Sequence, residues 1–161
     1  MADALRPVLE LSVVFPGLLL AYIPLKSYLK QTSGKLAAWL LPALAAMIAG
    51  GGLVCFRLRV STAPAQAVII LAAYAAYIKS LRVSRWKSVT VALSVCAVFA
   101  CLNSLSRALD AAVAVRSAWR EDELWFSLRA GITYNAMCWL IVALASYPAS
   151  HVVRRMVEDE N

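Results

Sequence analysis

The chain has 161 residues, 62% of them hydrophobic and only 16% charged. Soluble domains are nearer half apolar and about a quarter charged, so one small core cannot hide this much apolar surface, and the expected solvent is a bilayer. The net charge of +7 comes without the aromatic-basic platform or recognition helix of a nucleic-acid reader. In an apolar chain a basic excess points to cytoplasmic loops and anionic headgroups, so the expected partner is the lipid bilayer and no nucleic acid.

Five apolar stretches of membrane-crossing length follow in chain order, at about 5–25, 35–56, 64–81, 86–110 and 124–147. At ~1.5 Å per residue each reaches across a ~30 Å hydrocarbon layer. A helix satisfies its own backbone hydrogen bonds in lipid, and the alternation of barrel strands is missing. The reading is an all-α integral membrane bundle of about five transmembrane helices, one multi-pass domain over 1–161, with 148–161 as a cytoplasmic tail. The third stretch is the shortest, so four spans with one re-entrant segment stand as the alternative. The first stretch follows Asp3 and Arg6, shows no small-residue cleavage site and reads as a retained helix, not a signal peptide. Pro7 and Pro64 suit first-turn positions. Pro24 and Pro148 sit near span ends, and Pro16 and Pro42 are expected to bend their spans. Gly50–Gly52 invite another helix to approach closely, or loosen the end of span two.

The loops set the expected orientation. Lys26, Lys30 and Lys35 occupy the first loop, and Lys79, Arg82, Arg85 and Lys87 the third, with no acid in either. With five spans these loops share a side with Arg154 and Arg155, giving nine bases against seven. The positive-inside rule then places the N-terminus outside and the C-terminus in the cytoplasm. Trp86, Trp119 and Trp125 fall at headgroup level, where interface aromatics belong.

The fourth stretch ends in VFACLNSLSRALDAA. At about 100° per residue Asn103, Ser106, Arg107 and Asp110 share one narrow face, and Arg107 and Asp110 are i, i+3 neighbours. Charges near a span end largely escape the ~2.5–3.5 kcal/mol cost of the bilayer centre. Asn103 lies deeper and wants a partner. Asn135 on the next, antiparallel span lies at matching depth, so Asn103 is expected to face Asn135. Two readings of the stripe stand. One is interhelical packing plus a solvated helix end. The other is an outward recess lined by Asn103, Arg107, Asp110, Arg129 and Asn135, open to an extracellular signal.

Cys55, Cys96, Cys101 and Cys138 lie in apolar stretches without a CxxC pair, and His151 is the single histidine, so no metal site is expected. No Walker loop, GxSxG or paired-carboxylate arrangement marks a catalytic residue, and no cofactor is expected.

Two segments, RWKSVTVALSVCAVFACLNSLSRALDAA and YNAMCWLIVALASYPASHVVRRMVEDE, resemble the N-terminal transmembrane region of bacterial GHKL-type sensor histidine kinases. Their W-K…L…C-A-x-F-A-C-L-x-x-L-S…L-D-A span is followed there by a Y-N-x-x-C-W…Y-P-A-S-H…R-R span. The likeness covers about 85–158; the first span, with FPG and IPLK, fits loosely, and spans two and three fit mainly by hydropathy. The resemblance implies a membrane sensor of two-component signal transduction, with a cytoplasmic kinase domain in cis that dimerises, binds ATP and phosphorylates a histidine. The phosphoacceptor helix and the ATP-binding domain are absent from these residues, so activity does not carry over, and His151 is not the phosphoacceptor. The chain reads as a fragment, a truncated gene or a stand-alone relative. A small membrane transport component and a non-catalytic structural membrane protein are the competing functions.

Overall fold

The computed structural model describes residues 2–114, 125 and 127–158. It is all-α: α1 (Ala2–Ser12), α2 (Val14–Tyr22), α3 (Ser33–Leu58), α4 (Ala63–Ser80), α5 (Arg85–Ala114) and α6 (Leu128–Glu158). Five helical stretches are long and apolar enough to cross a membrane: Ala4–Tyr22, Ser33–Leu58, Ala63–Ser80, Arg85–Leu105 and Leu128–Val152. The protein is a multi-pass membrane protein.

The first span is two helices broken at Val13. Pro16 explains the position of the break. It has no N–H to give the Ser12 carbonyl, and its ring crowds that same group. Pro42 does not interrupt α3, and Pro64 opens α4 as expected. Pro7 differs from expectation. Helix α1 already begins at Ala2, which puts Pro7 inside it instead of in its first turn. The last helix also outruns its expected end. It passes through Pro148 to Glu158, and the Ser146 and Ser150 hydroxyls donate to the carbonyls of Ala143 and Tyr147 around the proline.

The broken span is the centre of the bundle: 44% of it is buried, against 17–28% for the other four spans. Helix α1 lies on α3 and α6, while α2 lies on α4, α5 and α6. The remaining helices form an arc about it in chain order, each touching the next. Leu11, Leu40, Leu44, Ile48 and Ile69 fill the α1–α3–α4 side. Val13, Leu20, Phe99, Leu102, Cys138 and Val142 fill the α2–α5–α6 side. Outward faces stay apolar, with Leu71 68% and Leu144 69% exposed, and that surface meets the lipid tails of the bilayer.

Glycine sets the closest approach. Gly52 of α3 lies against Val8 of α1, where a methyl group would sit 2.5 Å from Val8 Cγ2 and 3.1 Å from the Val8 backbone. Gly51 faces Leu11, Ile69 and Ala65, whereas Gly50 faces open space. Of the two roles expected for this triplet, the structure uses it for close helix packing.

The loops pair at opposite ends. At one end Leu29 and Leu81 form an isolated antiparallel bridge, with Lys30 N–H donating to the Ser80 carbonyl at 2.9 Å and Arg82 N–H to the Tyr28 carbonyl at 2.8 Å. The first and third loops therefore share an end, and Tyr22, whose hydroxyl lies 2.8 Å from Ser80 Oγ, ties α2 to it. At the other end Trp125 Nε1 donates to the Val60 carbonyl at 3.0 Å, and the Arg6 guanidinium donates to the Trp125 carbonyl at 3.0 Å. That end joins the start of the chain, the α3–α4 turn and the segment before α6.

Candidate functional site

Two polar features are built into the apolar bundle. The first is at the Trp125 end. Glu10 is on α1 and only 4% exposed, and the buried Thr62 hydroxyl donates to its carboxylate. Thr62 is held there by the α3–α4 turn. That turn closes with Arg59 in the left-handed conformation at φ 52° and with Val60 N–H donating to the Cys55 carbonyl at 3.2 Å. The Cys55 thiol donates to the Ser61 carbonyl at 3.7 Å. Trp125 caps the assembly, its ring centroid 6.1 Å from that of Phe56, with the Arg59 guanidinium 5.8 Å from the Phe56 ring on a cation–π path. Sequence reasoning passes over Glu10, yet the signal is there: it is the only acid between Asp3 and Asp110. An ionisable side chain inside a span is costly and is kept only with partners.

The second feature is a cleft of about 230 Å³ enclosed by α2, α4, α5 and Tyr134 of α6. Its walls are mostly small or apolar: Gly17 and Ala21 on α2, Ala73 on α4, Ala92 and Ala100 on α5. The α2 wall exists because Gly17 has no side chain and Phe99 fills only up to it, 3.6 Å from where a Cβ would stand. Tyr77, 1% exposed, closes the end toward the basic loops, with its hydroxyl donating to the Ala21 carbonyl at 3.4 Å. Gln66 and Asn103 stand at the opposite end. Among the described residues neither of these two amides has a hydrogen-bond partner.

The residues singled out from sequence part company here. Asn103 lines the cleft. Arg107 and Asp110 follow it on α5, but their side chains lie outside the described residues, as do Ser106 and Trp119. Arg129 is exposed in the first turn of α6. Asn135 does not face Asn103. Its Oδ1 accepts from the Ser12 hydroxyl at 2.8 Å, and its Nδ2 donates to the carbonyls of Leu9 at 2.8 Å and Gly131 at 3.0 Å. The reason is steric. Gly131 and Asn135 are one turn apart on α6, and Gly131 admits α1, with Leu9 Cβ 3.7 Å from where its own Cβ would be. Where α1 comes closest, the Leu9 carbonyl, which also accepts from the Ser12 hydroxyl at 2.8 Å, is within reach, and Asn135 donates to it.

Chemically the arrangement can hold a molecule by shape and by two amides, and it can link movement of the broken first span to α6. Comparison with family models, with curated proteins and with solved structures returned no match.

Proposed function

We propose that this chain is the membrane-embedded sensory region of a GHKL-type sensor histidine kinase, oriented with its basic loops in the cytoplasm. Supporting this is the likeness of residues 85–158 to that group, together with seven Lys and Arg and no acid on the two loops that share one end and the helix ends beside them. The observation that carries the reading is helix α6. It packs on both halves of the broken first span and on α5, then runs on as one helix past Val152 to Glu158 at the basic end. A rod of that kind passes a shift inside the bundle to whatever follows it, provided the signal binds the two arrangements differently. The break at Val13 is the element that can take two arrangements. In this scheme Asn103 heads the recess and Arg107, Asp110 and Arg129 extend it toward the external surface, while Asn135 couples α6 to the broken span.

The gene and its neighbours test the assignment. The expected finding is an Asn-box and Gly-rich ATP lid encoded in the same frame or in an adjoining gene. A neighbourhood of transporter genes with no such module rejects it in favour of a transport subunit. In the intact signalling system, Asn103→Ala and Arg107→Ala are expected to blunt the response. An unchanged response reduces the stripe to helix packing.

A further inference from the structure

We infer that the cleft between α2, α4 and α5 is a binding site for a neutral single-chain amphiphile, of the monoacylglycerol or fatty-alcohol kind, taken up from the bilayer with its head on Gln66 and Asn103. The site deepens the sensory reading and rests on it, and its test below needs no kinase.

Three observations fix the ligand class. The first is shape. On α4 the lining runs from Gln66 to Tyr77, and on α5 from Ala92 to Asn103. Eleven residues of helix rise cover about 16 Å. A volume of about 230 Å³ drawn out over that length is narrow, a shape that suits a single chain. It exceeds the ~150 Å³ of an apolar cavity that accepts benzene.

The second is polarity. Helix α4 leaves the Trp125 end at Ala63 and α5 returns toward it, so Gln66 and Asn103 are at the same end of the cleft. The far end is closed by Tyr77, whose hydroxyl is already engaged. Both amides are therefore at one mouth, where a head group would sit, and the Tyr74 hydroxyl and Cys96 thiol are weaker polar groups along the wall between them and Tyr77. Gln66 and Asn103 are both half-buried, and with no partner among the described residues their amides stay available to a ligand in this one cavity. Asn135, by contrast, has its oxygen and nitrogen engaged.

The third is charge. Among the described residues no Lys, Arg, Asp or Glu lines the cleft. An ionised carboxylate or phosphate head would enter without a counter-charge, whereas hydroxyl and ester groups match the donors and acceptors of two amides. Lipid tails already surround the protein, so apolar contact alone gives little selectivity. Discrimination against ordinary lipid therefore falls on the two amides.

The test uses the full chain in phospholipid nanodiscs and three photoactivatable diazirine probes: a monoacylglycerol, the corresponding free fatty acid, and a diacyl phosphatidylcholine. Adducts are mapped by peptide mass spectrometry. Tyr74 and Cys96 line the cleft, while Leu71 and Leu93 lie on the lipid-facing sides of the same two helices. The monoacylglycerol is expected to label Tyr74 and Cys96 at least about fivefold over Leu71 and Leu93, and unlabelled monoacylglycerol should compete this labelling away. Phosphatidylcholine should favour Leu71 and Leu93, and the fatty acid should label the cleft less than the neutral probe at a pH where it is ionised. Losing one ordinary hydrogen bond is worth about fivefold. Gln66→Leu with Asn103→Leu should therefore lose the cleft preference while the thermal unfolding of the protein is kept. Equal labelling of the two pairs of positions, entry of phosphatidylcholine as readily as monoacylglycerol, or an undiminished preference in the double variant overturns the assignment.

Discussion

Replacing Gly52 with alanine adds one methyl group at the tightest point of the bundle. The new Cβ would stand 2.5 Å from Val8 Cγ2 and 3.1 Å from both Val8 Cα and the Val8 nitrogen. Carbon contacts settle at about 3.5–4.0 Å. The Val8 side chain must therefore yield by about 1 Å, and the α1 backbone by at least ~0.4 Å. A side chain could rotate away, but a helix backbone has to move as a unit. Overpacking of this kind costs ~1–3 kcal/mol. Gly50→Ala is the matched control. It makes the same substitution two residues earlier in the same helix, with nothing within 4 Å of the added atom, and gains up to ~1 kcal/mol of helix propensity. Subtracting one variant from the other cancels propensity and isolates the contact. Unfolding in mixed micelles of rising SDS fraction, followed by tryptophan fluorescence, should place Gly52→Ala below the native chain and Gly50→Ala at or above it. A Gly52→Ala protein that resists SDS as well as Gly50→Ala would refute the packing of α1 on α3.

The same assay checks three further contacts. Asn135→Ala should cost ~0.6–1.7 kcal/mol, the range for interhelical hydrogen bonds in lipid, while Asn103→Ala, which removes no contact seen in the fold, should stay within ~0.5 kcal/mol. Thr62→Val takes a donor from the buried Glu10 carboxylate and should cost ~1–3 kcal/mol, with Thr62→Ser restoring most of it. Trp125→Phe keeps the ring against Phe56 but loses the N–H bond to Val60, and should cost ~0.5–1.5 kcal/mol.

The spans of α3, α4 and α5 follow from hydropathy because lipid imposes one strong rule on composition and length. The common end of the first and third loops follows from the two crossings, α3 and α4, that separate them. Other features needed knowledge of neighbours. Asn135 and Asn103 sit at similar depths on consecutive helices, and consecutive helices do touch; but the broken first span occupies the centre, and Gly131 brings it closer to Asn135 than Asn103 is. A small residue one turn away was the only trace of that in the sequence. Pro16 announced a bend, and its missing bond to the Ser12 carbonyl accounts for the break beside it at Val13. Pro148 suggested an ending, whereas α6 runs through it, since lipid offers the backbone no partner outside the helix and proline is tolerated in membrane spans. Glu10 was legible as an isolated acid in an apolar stretch. Its partner Thr62 was not, since 52 residues separate them.

The account rests on alternate crossing: the first and third loops at one face of the membrane, the α3–α4 turn at the other. Single cysteines introduced at Lys30, Arg82 and Arg59, labelled with a membrane-impermeant thiol reagent on intact cells and located by mass spectrometry, measure this directly. Arg59→Cys should label from outside, and Lys30→Cys and Arg82→Cys only after the membrane is opened. Labelling that separates position 30 from position 82, or that groups position 59 with them, would contradict the bundle.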